Sequence, residues 1–180
     1  MAVYNNYVDA NLVLGKITEA PFAQGSKVFS VVQSFVVAAA DSASSIYRVF
    51  PGIPSDAIII SIKILNDALP GVTAAVVGLY NCLNFDGVGA VINAGAELNA
   101  GMDISAGNAI SSNWVEMYLA PSIANREKCL WELAGQTQYP GPIASPTGPK
   151  PSAYDIGLKC PSMTTNTANI SMKLVYTRDV

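Results

Sequence analysis

Nine residues, Ala57 to Leu65, read AIIISIKIL, and they restrict the chain more than any other stretch. Their period is two: Ile58, Ile60, Ile62 and Ile64 fall on one face and Ile59, Ser61, Lys63 and Leu65 on the other, the pattern of a β-strand with one face on a core. A row of four isoleucines needs a second apolar layer opposite it. The strand therefore predicts a mainly β fold, an antiparallel β-sandwich or jelly roll, with one or two short helices.

Other stretches carry the same signal. KVFSVVQSFVVAA from Lys27 alternates with a break in phase at Val31 and Val32, which predicts a long, bulged strand. Ile46 to Phe50 predicts a short strand stopped by Pro51-Gly52 and Pro54. Ala74 to Asn81 predicts another, joined to the isoleucine strand by the turn residues Asn66-Asp67 and Pro70-Gly71 and paired with it antiparallel. Ala153 to Cys160 and Ala168 to Thr177 close the set, with Ile170, Met172, Leu174 and Tyr176 on one face.

Two segments read as helical. Asn113 with Glu116 three residues on has the form of a capping box opening NWVEMYLA. In IANREKCLWELAG, the residues Ile123, Leu130, Leu133 and Ala134 share a helical face and Gly135 stands where a C-cap belongs. This second helix is expected to lid an edge or end of the sandwich.

With 180 residues, one domain can bury about 70% of its unfolded surface. The expected organisation is an N-terminal arm over 1–26 with room for a first strand near Asn11 to Ile17, then one sandwich over 27–180. That sandwich is interrupted by a Gly-rich excursion over 84–108, with a short strand at Val88 to Ile92, and by a Pro-rich loop over 138–152. Five prolines from Gln138 to Pro151 favour polyproline II or open coil that cannot join a sheet, either a disordered loop or an extended strap on a neighbouring subunit.

Charge is sparse, at 13% of residues against 51% hydrophobic, about half the usual charged share. A depleted surface of this kind suits burial against other proteins. The ten basic residues are scattered and the net charge is −3, so no phosphate-neutralising stripe forms and no nucleic acid is expected. No apolar run reaches the ~18 residues of a membrane helix, and the N-terminus lacks a signal-peptide pattern, so no membrane partner is expected. Cys82, Cys129 and Cys160 are odd in number and far apart, which predicts reduced, buried thiols.

Chemistry is equally sparse. The chain has no histidine, which removes the usual neutral-pH base and the commonest metal ligand. Glycine-rich and Ser-x-x-Lys motifs fail on inspection, and Asn84, Asp86 and Gly87 only faintly suggest a calcium loop. The expectation is a non-enzyme with no catalytic residues, cofactor or metal. Asn169-Ile170-Ser171 matches a glycosylation sequon but lies inside a predicted strand.

The order of IYRV, AIIISIKILND, VVGLYN, GMDIS, IANREKCLWELAG, YDIGL and NISMKLVYT resembles small structural proteins of tailed bacteriophages, the head decoration or cement proteins. The resemblance runs from about Ile46 to Tyr176. It implies a β-rich, oligomeric, non-enzymatic virion protein made in the bacterial cytoplasm and bound to the outside of the head. Its partners would be the major capsid protein and itself, as a homotrimer or homodimer. Tyr4, Tyr7 and Val8 in the arm and Pro140, Pro142 and Ile143 in the strap are the candidate interface residues, being apolar groups without an evident place in the sandwich. A carbohydrate-binding jelly roll using Trp114, Tyr118 or Tyr139 is the alternative. A glycosidase would need two carboxyls about 5 to 9.5 Å apart.

Overall fold

The structure, a computed structural model, describes residues 3–4, 20–21, 26–38, 41, 45–81, 98–99, 101–108, 113–118, 125, 127–137, 152–164 and 167–179. Two sheets face each other as a β-sandwich. One runs β1 (Val3–Tyr4), β4 (Ser45–Pro54), β8 (Ala153–Cys160), β6 (Val76–Asn81). The other runs β2 (Ala20–Pro21), β3 (Ser26–Val37), β9 (Ala168–Asp179), β5 (Ile58–Asn66), β7 (Val115–Glu116). Every pairing is antiparallel except β1 with β4. We call these the β4 sheet and the β9 sheet.

One core lies between them. From the β9 sheet it takes Phe35, Ile62, Ile64, Ile170, Met172 and Leu174, and from the β4 sheet Tyr47, Val77, Leu79, Ile156 and Leu158. Phe35 and Tyr47 stack across the gap with ring centroids 5.3 Å apart. The Tyr47 hydroxyl donates to the Asp41 carboxylate at 2.8 Å, so the polar end of a fully buried ring is satisfied.

The isoleucine row is not continuous. A register shift between Ile59 and Ser61 marks a bulge, after which the inward residues are Ile62 and Ile64, while before it the inward residue is Ile59. Ile60, predicted to face the core, is 50% exposed. One extra residue reverses the phase of everything before it. The bulge expected in β3 is absent: β3 and β9 pair without a shift from Ser26 to Val37, and Val31 points inward while Val32 points out. Two adjacent valines there reflect an apolar outer face.

β4 extends past its expected stop. It runs to Pro54 with shifts between Arg48 and Phe50 and between Phe50 and Ile53, and the irregularity accommodates exposed Pro51 and Gly52. β5 and β6 are not neighbours as predicted. The residues between them carry the chain from one sheet to the other, so β5 pairs with β9 and β6 with β8.

Both helical predictions are corrected. Residues 113–118 are extended, with Val115 and Glu116 paired to Ile64 and Lys63. Glu116 spends its carboxylate on β5 instead of on its own N-terminus. The second helix is the single turn α1 (Leu130–Leu133), ending at Gly135 with φ +76 and with bonds from the Gly135 and Gln136 N–H groups to Glu132 and Trp131 carbonyls. That is a Schellman end, as the C-cap reading anticipated. The expected strands at Asn11 to Ile17 and Val88 to Ile92, together with Ile123 and Cys82, lie outside the described residues. Cys160 is buried and Cys129 half-buried, both as free thiols.

Candidate interaction surfaces

A β-sandwich has two outer faces and a set of edges, and their side chains decide what it can meet. On the outer side of the β4 sheet, Ile46, Arg48, Tyr80 and Asp155 are all buried. Arg48 lies 3.4 Å from Asp155 Oδ2, with side-chain exposures of 4% and 3%, and Asp155 Oδ1 accepts the Gly52 N–H at 2.9 Å. Gly157 sits opposite Arg48, and a Cβ there would come within 2.7 Å of the Tyr80 ring, so only glycine lets the ring close over this strand. The cost of taking both charges out of water offsets much of the attraction in a buried pair of this kind.

The outer side of the β9 sheet differs. Val32 is 42% exposed and Val36 53% exposed, beside half-exposed Ile60. Ser34 and Ser171 hydroxyls meet at 2.7 Å. Lys63 and Lys173 stand directly opposite each other in the β5–β9 ladder, and neither has a carboxylate within ion-pair distance among the described residues. Like charges facing each other across strands are destabilising.

Edges show a further contrast. β6 is the outermost strand of its sheet, and the Asn99 side chain completes it: Oδ1 accepts the Val77 N–H at 2.8 Å and Nδ2 donates to the Ala75 carbonyl at 3.2 Å. Leu98 N–H donates to Val77, and Ala75 and Met102 form a bridge. An amide side chain carries the donor and acceptor of a peptide group, so one residue stands in for a strand.

Asn108 repeats the device on β5. Its Oδ1 accepts the Asn66 N–H at 2.6 Å, its Nδ2 donates to the Ile64 carbonyl at 3.1 Å, and its own N–H donates to the Asn66 carbonyl. Gly107 (φ +74) turns the chain into position where a Cβ would meet Ala68 N at 2.5 Å. Glu116 takes the Ile62 N–H and the Ser61 hydroxyl, and Cys129 bridges Ile58 at the start of the strand. The α1 turn therefore does cover an edge.

Of the sequence-predicted interface residues, only Tyr4 is described, and its backbone pairs in parallel with Tyr47, so the arm does enter the sandwich at this point. Tyr7, Val8, Pro140, Pro142 and Ile143 lie outside the described residues, as does Tyr139. Trp114 is half-buried and Tyr118 buried, which takes Tyr118 away from a sugar. Asn99 and Asn108 were missed by sequence reasoning. No local pattern in the sequence marks either of them.

No three Cys, Asp or Glu side chains among the described residues gather as a metal requires. A depression of about 290 Å³ beside Ile64, Met102 and Val115 holds a single carboxylate, Asp103, which hydrogen bonds from the Ser105 hydroxyl and N–H hold below the usual range. No helix among the described residues is long and apolar enough to cross a membrane. No protein-family model matches the chain, and neither a curated protein nor a solved structure matches it. The class is therefore a two-sheet β-sandwich whose outer faces differ, one burying Arg48 and Asp155 and the other exposing Val32 and Val36.

Proposed function

We propose that the chain is a structural protein of a bacteriophage virion, a head decoration or cement protein that binds the outer capsid shell and clamps neighbouring subunits. It works without chemistry, by burying surface against the major capsid protein and against further copies of itself. The observation that supports this reading is the outer face of the β9 sheet, where exposed Val32, Val36 and Ile60 lie on the same side as Lys63 and Lys173, which have no carboxylate partner among the described residues. Apolar contact there would remove valine surface from water, and carboxylates on the shell would relieve the lysine pair. Repetition over a symmetric lattice multiplies a modest single-site affinity.

The test uses heads of the phage whose genome encodes the chain, stripped of this protein and mixed with the purified chain, native or K63E/K173E. Native chain should sediment with heads and appear by electron microscopy as density on the outer shell, and the double variant should lose most of that binding. Absence of the native chain from heads, or full binding by the variant, overturns the assignment.

A further inference from the structure

The segment from Gly101 to Asn108 crosses the seam between the two sheets. Met102 bridges Ala75 beside β6, and Asn108 sits on Asn66 at the end of β5. Between these ties the Ile104 N–H donates to the Val72 carbonyl at 3.1 Å, and the Ile104 carbonyl accepts the Asn66 Nδ2 at 3.0 Å. Both ends and the middle are therefore fixed. Against β5 and β7 the segment leaves a pocket of about 290 Å³, and every residue that lines it is among the described ones. Its shape is set before anything binds, which lowers the entropy cost of an occupant.

Depth sorts the lining by chemistry. Ile64 and Ile104 are buried at the floor, Met102 and Val115 are half-buried on the walls, and Asp103 is exposed at the rim. The donors of the lining amides are already committed: the Asn66 and Asn108 Nδ2 groups go to the carbonyls of Ile104 and Ile64, and the Met102 and Gly107 N–H groups to carbonyls of the chain. Asp103 remains as an acceptor. Its Oδ1 takes the Ser105 N–H at 2.9 Å, and no cation lies within ion-pair distance of it among the described residues. The Ser105 bonds keep its carboxyl below the usual range, so it is charged at neutral pH.

An occupant has to suit both ends. A cation pushed to the floor would lose its water among apolar side chains, and a purely apolar group would cover the mouth and leave the carboxylate without a donor. Size narrows the choice further. Small-molecule sites run from about 300 to 1,000 Å³, so this pocket is at the lower limit and matches one side chain. We infer that it receives an apolar side chain of leucine size from a partner protein, with a lysine or arginine beside it in that partner reaching Asp103. The Met102 thioether, flexible and polarisable, adapts the wall to the inserted group.

The pocket is independent of the capsid reading, because it is tested without heads. The experiment is an NMR titration of the full chain with the blocked dipeptides Ac-Leu-Lys-NH2, Ac-Leu-Gln-NH2 and Ac-Leu-Glu-NH2, and with n-butylammonium as the small-amine probe. The lysine dipeptide should bind in the millimolar range, shifting the Met102 methyl and the Val115 amide. It should bind about two- to fivefold more tightly than the glutamine dipeptide, the size of an exposed ion pair, with the glutamate dipeptide weakest. D103N keeps an acceptor for the Ser105 N–H and should erase that preference. If D103N fails to fold, the order of the three dipeptides on native chain decides. Equal binding of the three by native chain, no shift at Met102 or Val115, an unchanged preference in folded D103N, or tighter binding of n-butylammonium than of the lysine dipeptide overturns the inference.

Discussion

β6 is the last strand of its sheet, β3 is followed in the other only by the two-residue β2, and the described residues flank the two in different ways. The β6 edge is closed by one amide, Asn99, reaching 2.8 Å to Val77 and 3.2 Å to Ala75. β3 keeps its edge from Phe29 to Val37 with neither a strand nor a side chain upon it among the described residues. On β6 a side-chain amide works beside short backbone contacts, the Leu98 N–H to Val77 and the Ala75–Met102 bridge, and β5 shows the amide device used again at Asn108. The outer faces differ in parallel: the β4 sheet buries Arg48 and Asp155 on its outer side, whereas the β9 sheet exposes Val32 and Val36 on the side that carries the half-buried Lys63 and Lys173.

Asn99→Ala should break the contrast most strongly. It leaves a buried N–H and a buried C=O on Val77 and Ala75, at a cost of about 2 to 4 kcal/mol in urea unfolding. Asn108→Ala, at a part-buried site, should cost about 1 to 2 kcal/mol. Equal losses, or none at Asn99, would mean that the amides do not act as substitute strands.

Alkali sharpens the comparison from the β4 side. Burial pushes the Cys160 thiol in β8, the strand beside β6, from 9.0 up to about 12, and the Tyr154 hydroxyl from 10.0 up to about 12. Each raised pKa means the folded state holds its proton more tightly, so stability is full below pH 9 and falls as pH rises from 9 toward 12. The urea midpoint should be flat between pH 7 and 8.5 on this account and fall above 9. Cys160→Ala should be less stable at pH 7 but fall less steeply between pH 9 and 10; a parallel fall would remove Cys160 as the cause.

Val36→Ser should have the smallest effect. Val36 is 53% exposed on the free side of the β9 sheet, so the stability of the isolated chain should change by no more than about 0.5 kcal/mol. A larger loss, measured by thermal unfolding, would mean that this valine is covered within a single copy.

Much of the fold was legible locally. Ala153 to Cys160 appears with the predicted bounds, and the face of Ile170, Met172, Leu174 and Tyr176 is the buried one. The exposed outer face was legible only in fragments. Val31 and Val32 stood out as a phase break, yet an apolar outer face explains them, and nothing local says that Lys63 and Lys173 meet. Asn113 and Glu116 fit a capping box, but β5 claimed the Glu116 carboxylate for Ile62 and Ser61.

Alternation of side chains settles that a segment is extended and which residues share a face, because those are properties of a few consecutive residues. Which strand lies beside which, and which edge is finished, was decided only on assembly. Val77 and Asn99 are separated by 22 positions and Asn66 and Asn108 by 42. A hydrogen bond across such a span forms only after the chain between has been placed by packing, and so leaves no periodic trace in the residues that make it.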